Sequence, residues 1–106
     1  MTSADFSKVM TAQFTYCEKL LANKSEEYAD DRDRLRHFKK AAAMTETDPK
    51  AALFGMLLKH LVSLSDMCTD WKAYPIDRWS EKITDSINYL VLLRALVEEE
   101  EELVNE

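Results

Sequence analysis

The chain is poor in the residues that build turns and strands. It contains one glycine and two prolines among 106 residues, and 46% of its residues are hydrophobic. Glycine and proline mark most turns, so their scarcity favours long helices joined by short loops. Strands would need more β-branched residues and more turn residues than this chain supplies. The sequence therefore predicts an all-α protein, a bundle of four to five helices.

The scarcity of glycine excludes one kind of site, and the two cysteines favour no other. A phosphate-binding loop of the Walker type needs two glycines, and the chain has one. The two cysteines, Cys17 and Cys68, form no CxxC pair, and both fall on apolar helical positions. We interpret them as small buried hydrophobes in a reducing cytosol rather than as a disulfide or redox pair.

Positive charge is also scarce. The chain has 14 Lys and Arg against 20 Asp and Glu, which gives a formal net charge of -6. Binding to nucleic acid or to a membrane surface requires a basic face, so we expect neither. No apolar run reaches the roughly 18 residues of a membrane span, and no signal peptide is recognised. The expected protein is soluble and cytoplasmic.

The length accommodates one domain. A chain of 106 residues is too short for two domains, and no repeat or Gly/Ser linker divides it. Residues 1–106 are therefore predicted to form one unit. Its acidic tail, about 98–106, is expected to fray into solvent because five consecutive glutamates repel one another.

Hydrophobic periodicity divides the chain into four amphipathic segments. Asp48 followed by Pro49 gives the clearest boundary, because aspartate caps a helix N-terminus and proline suits the first helical position. If the first helix continues through Tyr28, the predicted helices cover residues of about 3–28, 31–44, 49–70 and 77–102.

Apolar spacing also predicts which side of each helix faces inward. The third helix is apolar around most of its circumference, which places it centrally or in a subunit interface. Residues 89–97 of the fourth helix are nearly as apolar, so we expect a homo-oligomer, a dimer or tetramer. The predicted inner faces are Phe6, Val9, Met10, Phe14, Cys17, Leu20 and Leu21 on the first helix, Leu35, Phe38, Ala42 and Met44 on the second, and Trp79, Ile83, Ile87, Leu90 and Val97 on the fourth.

Carboxylates adjoin apolar runs at two places, and the first is near the end of the first helix. Glu27 and Asp30 are three residues apart, and in a continuous helix Glu27 lies on the face of Leu20. An unpaired carboxylate facing the bundle is costly, so Glu27 needs a cation, a salt bridge or an early helix end. Two interpretations remain open: a pair of metal ligands, or surface charge with Asp30 paired to Arg34.

The second place is on the fourth helix. Glu81, Asp85 and Asn88 stack at i, i+4 and i+7, on the side opposite the predicted inner stripe. One interpretation is a solvated outer surface. In an oligomer both sides of this helix are covered, and carboxylates on facing helices then suit Mg²⁺, a hard cation that prefers oxygen ligands.

Basic residues near these acids are candidates for binding phosphate. Lys59 stands alone on the third helix, where it either contacts phosphate, extends to solvent or pairs with Asp66. Arg34 belongs to a basic set that alternates with aspartates, so most of the set is interpreted as helix surface. The set is Arg32, Arg34, Arg36, His37, Lys39 and Lys40.

Two short motifs resemble those of the MazG-like, all-α nucleoside triphosphate pyrophosphohydrolases. Glu26-Glu27-x-x-Asp30 resembles the EExxE motif of that family. Asp85-Ser-Ile-Asn-Tyr89 resembles the end of its second motif, an ExxD whose Asp is followed four residues later by Tyr. The chain is also similar, over about residues 17–97, to small MazG-like proteins of bacteriophages.

The motifs depart from the family at two positions. Asp30 replaces a longer glutamate, and Lys82 stands where the second-motif glutamate falls, with Glu81 one position earlier. Carboxylates at i and i+4, such as Glu81 and Asp85, can still converge on one ion.

The resemblance implies a Mg²⁺-dependent enzyme, with Mn²⁺ as a substitute, that hydrolyses an NTP or dNTP to the monophosphate and pyrophosphate. Two alternatives stay open: a nucleotide-binding module of the same fold without turnover, and an acidic phage-type module that binds or inhibits another protein. The residues implied are Glu27, Asp30, Glu81 and Asp85 as metal ligands, Glu26 as proton acceptor, Lys59 or Arg34 against the triphosphate, and Asn88 as a nucleotide contact.

Overall fold

Four helices make up the part of the chain whose structure is described. The computed structural model describes the backbone of residues 1–28 and 33–105, and the side chains of residues 1–22 and 33–104. Within these ranges there is no strand, so the all-α prediction is confirmed. The helices are α1 (Ser3–Tyr28), α2 (Arg36–Thr45), α3 (Pro49–Thr69) and α4 (Ile76–Asn105).

The start of α3 shows how sequence sets a helix end. The Asp48 carboxylate accepts hydrogen bonds from the backbone N–H groups of Lys50, at 2.8 Å, and Ala51, at 3.0 Å. Pro49 occupies the first turn, where its missing N–H leaves no bond unmade. Two boundaries differ from prediction: α2 starts at Arg36, and α4 continues beyond the predicted end.

Removing the Asp48 cap is expected to lower the free energy of unfolding by about 1 kcal/mol, because two helix N–H donors lose their acceptor. Urea denaturation of Asp48→Ala measures this loss. Asp48→Asn is the matched control, since its amide oxygen accepts the same bonds. Equal stabilities for the two variants would contradict the role given to the cap.

The core lies where α2 crosses the paired helices α3 and α4. Leu35 and Phe38 pack with Leu53 of α3 and Leu96 of α4, and all four are buried. Ala42 is also buried, so three of the four residues predicted to face inward from the second helix do so. The expectation for the fourth, Met44, was wrong. It lies two residues, or roughly 200°, past Ala42 around the helix and is exposed.

The predicted inner stripe of α1 is only partly covered. Cys17 is buried and Leu20 and Leu21 are half-buried. The earlier members of the stripe are exposed, because the first half of α1 has little of this chain packed against it: they are Phe6, Val9, Met10 and Phe14. In the described part of the chain, α1 packs against α4 and no other helix.

The prediction for the inner face of α4 was wrong at three positions. Ile83, Leu90 and Val97 are 36%, 51% and 39% exposed. Thr84 and Asn88, on the side predicted to be outermost, are 0% and 2% exposed. The side of α4 that carries Thr84 and Asn88 therefore faces the other helices of the chain, and Ile83, Leu90 and Val97 face outward.

Both α3 and α4 carry exposed apolar side chains, which together we call the exposed apolar face. They are Phe54, Leu58, Leu61 and Val62 of α3 and Ile83, Leu90 and Val97 of α4. The chain has an accessible surface of 8126 Å², whereas a monomer of 12.3 kDa is expected to expose about 6,100 Å². Its radius of gyration is 16.2 Å, against about 13 Å for a compact domain of this length.

The acidic end of α4 is anchored rather than frayed, which corrects the expectation for the tail. Glu99 pairs with Lys39 of α2 at 2.5 Å, and Glu100 pairs with Lys50 of α3 at 2.6 Å. Helical backbone continues through Asn105. Lysines from two other helices therefore offset part of the repulsion among the glutamates.

Two further expectations need correction, and both concern α3. Cys68 is exposed, although Cys17 is buried as predicted, and both thiols are free. In the described ranges, α3 is also long and apolar enough to cross a membrane by length and composition alone. One such helix is weak evidence for a span, since core helices of water-soluble proteins meet the same criterion. In α3, Leu53, Leu57 and Met67 are buried, and most other apolar side chains are exposed or half-buried.

Candidate functional site

A cavity of about 240 Å³ lies where all four helices approach one another. Its walls combine apolar, aromatic and charged side chains. They are Leu21 of α1, Arg34 in the turn before α2, His37 and Phe38 of α2, Met56 of α3, and Asp85, Asn88, Tyr89 and Leu92 of α4.

Three residues predicted from sequence as parts of a site meet in this cavity. Arg34, Asp85 and Asn88 all line it, although Arg34 is far from the other two in sequence. Asp85 is half-buried, and it is the one carboxylate among the lining residues that the structure describes. The cavity thus brings together a cation, an anion and an amide.

Two predicted residues lie elsewhere. Glu81 is exposed and does not line the cavity, although it precedes Asp85 by one helical turn. Lys59 is exposed on α3 and does not line it either. The side chains of Glu26 and Glu27, and all of Asp30, lie outside the described residues.

Arg34 is held at the cavity by the end of α1. Its Nη2 donates a hydrogen bond of 2.9 Å to the backbone carbonyl of Leu21, which also lines the cavity. A guanidinium carries five N–H donors in a planar fork, so one bond to a carbonyl leaves others for a ligand.

Neighbouring charges fix the turn that carries Arg34. The Asp33 carboxylate accepts hydrogen bonds from the backbone N–H of Leu35, at 3.0 Å, and from Lys39 Nζ, at 2.8 Å. The bond from Lys39 lowers the pKa of the Asp33 carboxyl, and Asp33 with Glu99 raises the pKa of the Lys39 ammonium. These ion pairs tie the start of α2 to the end of α4.

Sequence reasoning missed the polar contact between α1 and α4. Gln13 Nε2 donates to Thr84 Oγ1 at 2.8 Å and approaches Cys17 Sγ at 3.3 Å. Thr84 is fully buried, and this bond satisfies its hydroxyl. The available signal was the spacing of Thr84 and Asn88, which are four residues apart and so share one face of α4.

Aromatic rings form one wall of the cavity. Phe38 and Tyr89 meet edge to face with ring centroids 6.4 Å apart. On its other side Tyr89 contacts His60 of α3, with centroids 5.1 Å apart. His37, interpreted from sequence as helix surface, also lines the cavity. The rings offer a flat apolar surface beside the charged groups.

The fit of this site to Mg²⁺ depends on how many carboxylates the cation needs. Among residues 1–22 and 33–104, no three His, Cys, Asp or Glu side chains come together to hold a metal. Mg²⁺ in nucleotide enzymes is usually held by one or two carboxylates together with phosphates of the substrate and water. Asp85 at the cavity fits that mode of binding.

The cavity can therefore do three things chemically. Arg34 can bind phosphate, Asp85 can bind a cation, and the rings of Phe38 and Tyr89 can pack on a flat apolar group. No protein-family model, curated protein or solved structure matches this chain.

Proposed function

We propose that this protein is a MazG-like, Mg²⁺-dependent nucleoside triphosphate pyrophosphohydrolase that acts on an NTP or dNTP. The observation that carries the proposal is the meeting of Arg34, Asp85 and Asn88 at one cavity. Asp85 belongs to the second motif, Asn88 follows it at helical spacing, and Arg34 belongs to the basic set beside the first motif. A cation, a carboxylate and aromatic walls match the phosphates, metal and base of a nucleotide.

Asp85 is the proposed metal ligand within the described residues. The motif resemblance adds Glu27 and Asp30, and the one-turn spacing adds Glu81. When bound, Mg²⁺ or Mn²⁺ neutralises phosphate charge and lowers the pKa of a coordinated water. The metal ligands thus need only orient their carboxylates and exclude competing cations.

The remaining side chains bind the triphosphate and move a proton. Arg34 donates to phosphate oxygens, and it is favoured over Lys59 because it lines the cavity. Glu26 accepts the proton of the attacking water. The water oxygen bonds to the α-phosphorus, the bond from that phosphorus to the α–β bridging oxygen breaks, and pyrophosphate leaves.

The proposed working form is a homodimer in the cytoplasm. The chain exposes about 2,000 Å² more than a monomer of its mass is expected to expose. Obligate dimers bury 2,000–5,000 Å² in total, so covering this excess on both copies falls within that range. The exposed apolar face is the surface we assign to the second copy.

A nucleotide-binding module without turnover is the second candidate. The structure describes a single carboxylate at the cavity, and Lys82 occupies the position of the family's second-motif glutamate. Such a module would bind a nucleotide with Mg²⁺ and release it unchanged.

Product analysis separates the two candidates. Wild-type protein is incubated with each common NTP and dNTP with and without Mg²⁺, and ³¹P NMR follows the phosphorus species. The enzyme is expected to yield monophosphate and pyrophosphate in equal amounts, with Mg²⁺ only. Diphosphate with inorganic phosphate would indicate a different bond cleavage, and unchanged nucleotide would reject the enzyme.

A further inference from the structure

Asn88 is a buried amide with no hydrogen-bond partner among the described residues. It is 2% exposed, and neither Oδ1 nor Nδ2 meets a partner within that part of the chain. Roughly 90% or more of buried polar groups in proteins are hydrogen-bonded, and an unpaired group lowers stability. Such an exception at a cavity wall calls for a functional explanation.

The other buried polar side chains of α4 are satisfied. Thr84 Oγ1 accepts from Gln13 at 2.8 Å, and Ser86 Oγ donates to the carbonyl of Lys82 at 2.9 Å. Neither Thr84 nor Ser86 lines the cavity, whereas Asn88 does. Both amide atoms of Asn88 are closed to solvent in the free protein, so the amide lies behind the cavity wall and meets a ligand by turning toward the cavity.

The surroundings of Asn88 suit a flat ring. Phe38 and Tyr89 supply aromatic surface, and Met56 and Leu92 supply aliphatic surface. The cavity volume of about 240 Å³ is below the 300–1,000 Å³ of sites that enclose a whole drug-sized ligand. It therefore suits part of a nucleotide, with the remainder extending toward Arg34.

We propose that Asn88 reads the hydrogen-bonding edge of the nucleobase. An amide presents a donor and an acceptor side by side, and so does the Watson–Crick edge of each base, in one order or the other. This inference rests on the proposed function, because it names the group that fills the same cavity.

Because Asn88 is unpaired among the described residues, we expect it to discriminate little between uracil and cytosine. No neighbour in the described ranges fixes which side of the amide carries oxygen, so the group can turn over to match either order of donor and acceptor. Uracil and cytosine present opposite orders on that edge. The site is therefore expected to bind uridine and cytidine with affinities within about tenfold of each other.

The test uses ligands without phosphate, so that base binding is measured apart from metal and hydrolysis. Uridine, cytidine and, as a ligand without a base, ribose 5-phosphate are titrated into metal-free protein and followed by NMR. Asn88→Leu is expected to weaken both nucleosides by roughly tenfold to a hundredfold, because a bidentate contact to a base is lost. Its effect on ribose 5-phosphate should be small.

Thr84→Val is the matched control, since it alters a buried polar residue of the same helix that does not line the cavity. It is expected to lower the melting temperature but leave nucleoside affinity unchanged. Equal nucleoside affinity in wild type and Asn88→Leu, or no nucleoside binding at millimolar concentration, would overturn the role of Asn88. That result would mark the amide as an unsatisfied polar group of the helix packing.

The two proposals can fail separately. Hydrolysis in wild type with unchanged base preference in Asn88→Leu would reject base reading and keep the enzyme. Nucleoside binding that depends on Asn88, without any hydrolysis, would reject the enzyme and keep base reading. Circular dichroism of each variant establishes that the helices are intact.

Discussion

The wild-type chain is expected to sediment as a dimer at micromolar concentration, and Leu90→Glu is expected to sediment as a monomer. Leu90 is 51% exposed at the centre of the stripe formed with Ile83 and Val97. In a symmetric dimer the substitution buries one new carboxylate from each copy against apolar surface, which is strongly unfavourable. We expect the dissociation constant to rise at least about a hundredfold, or about 2.8 kcal/mol.

Met44→Glu is the control for this experiment. It makes the same change of charge at an exposed apolar residue on α2, outside the exposed apolar face. It should remain dimeric. A second readout is the melting temperature of wild type, which should rise with protein concentration because only the folded chain associates. A wild-type monomer, or dimeric Leu90→Glu, would contradict the assignment of this face to a second copy.

Asp85→Asn is expected to lower the rate of triphosphate hydrolysis by at least about a hundredfold, or ~2.7 kcal/mol in the barrier. The substitution keeps the shape of the side chain but removes the negative charge that a hard cation requires. Pyrophosphate release in the presence of saturating Mg²⁺ measures the effect. Asp77→Asn, an exposed site in the first turn of the same helix, is the control and should retain activity.

Glu81→Gln tests whether Glu81 is a second metal ligand on α4. If Glu81 reaches the ion from one turn away, this variant should require more Mg²⁺ for half-maximal activity. If the exposed position of Glu81 is also its position in the complex, the Mg²⁺ requirement should match that of wild type. Either result defines the ligand set without altering the role of Asp85.

Local signals in the sequence were sufficient to predict the start of α3. Asp48 and Pro49 act on N–H groups within the next three residues, so no distant partner is needed to predict their effect. The inner face of α2 was also predictable at Leu35, Phe38 and Ala42, because this helix has a single covered side.

The orientation of α4 was beyond sequence reasoning. Periodicity shows that Ile83, Leu90 and Val97 share a side of the helix, but it does not tell which partner covers that side. A regular apolar stripe was assigned to the core of the chain, whereas the chain covers Thr84 and Asn88 instead. In a homo-oligomer both sides of the helix are covered. The apolar pattern of one chain therefore does not tell which side faces its own helices and which faces the other copy.

Sequence analysis predicted only part of the candidate site, because the other part depends on contacts between distant helices. Helical spacing and the motif resemblance predicted Asp85 and Asn88, the basic set supplied Arg34, and all three line the cavity. None of these patterns indicated Gln13, whose bond to Thr84 joins α1 to α4 across a long stretch of sequence. Contacts between distant helices depend on how the helices cross, which local spacing does not encode.

The most direct test of the central claim is the shift in melting temperature produced by Mg²⁺ together with a triphosphate whose α–β bridge resists hydrolysis. A ligand at a hundred times its dissociation constant adds about 2.7 kcal/mol to the stability of the folded state. For a domain of this size, that corresponds to a rise of roughly 10 °C or more. We expect this rise in wild type when metal and nucleotide are both present, and its loss in Asp85→Asn. An equal rise in Asp85→Asn, or no rise in wild type, would contradict the proposal of a metal-dependent nucleotide site at this cavity.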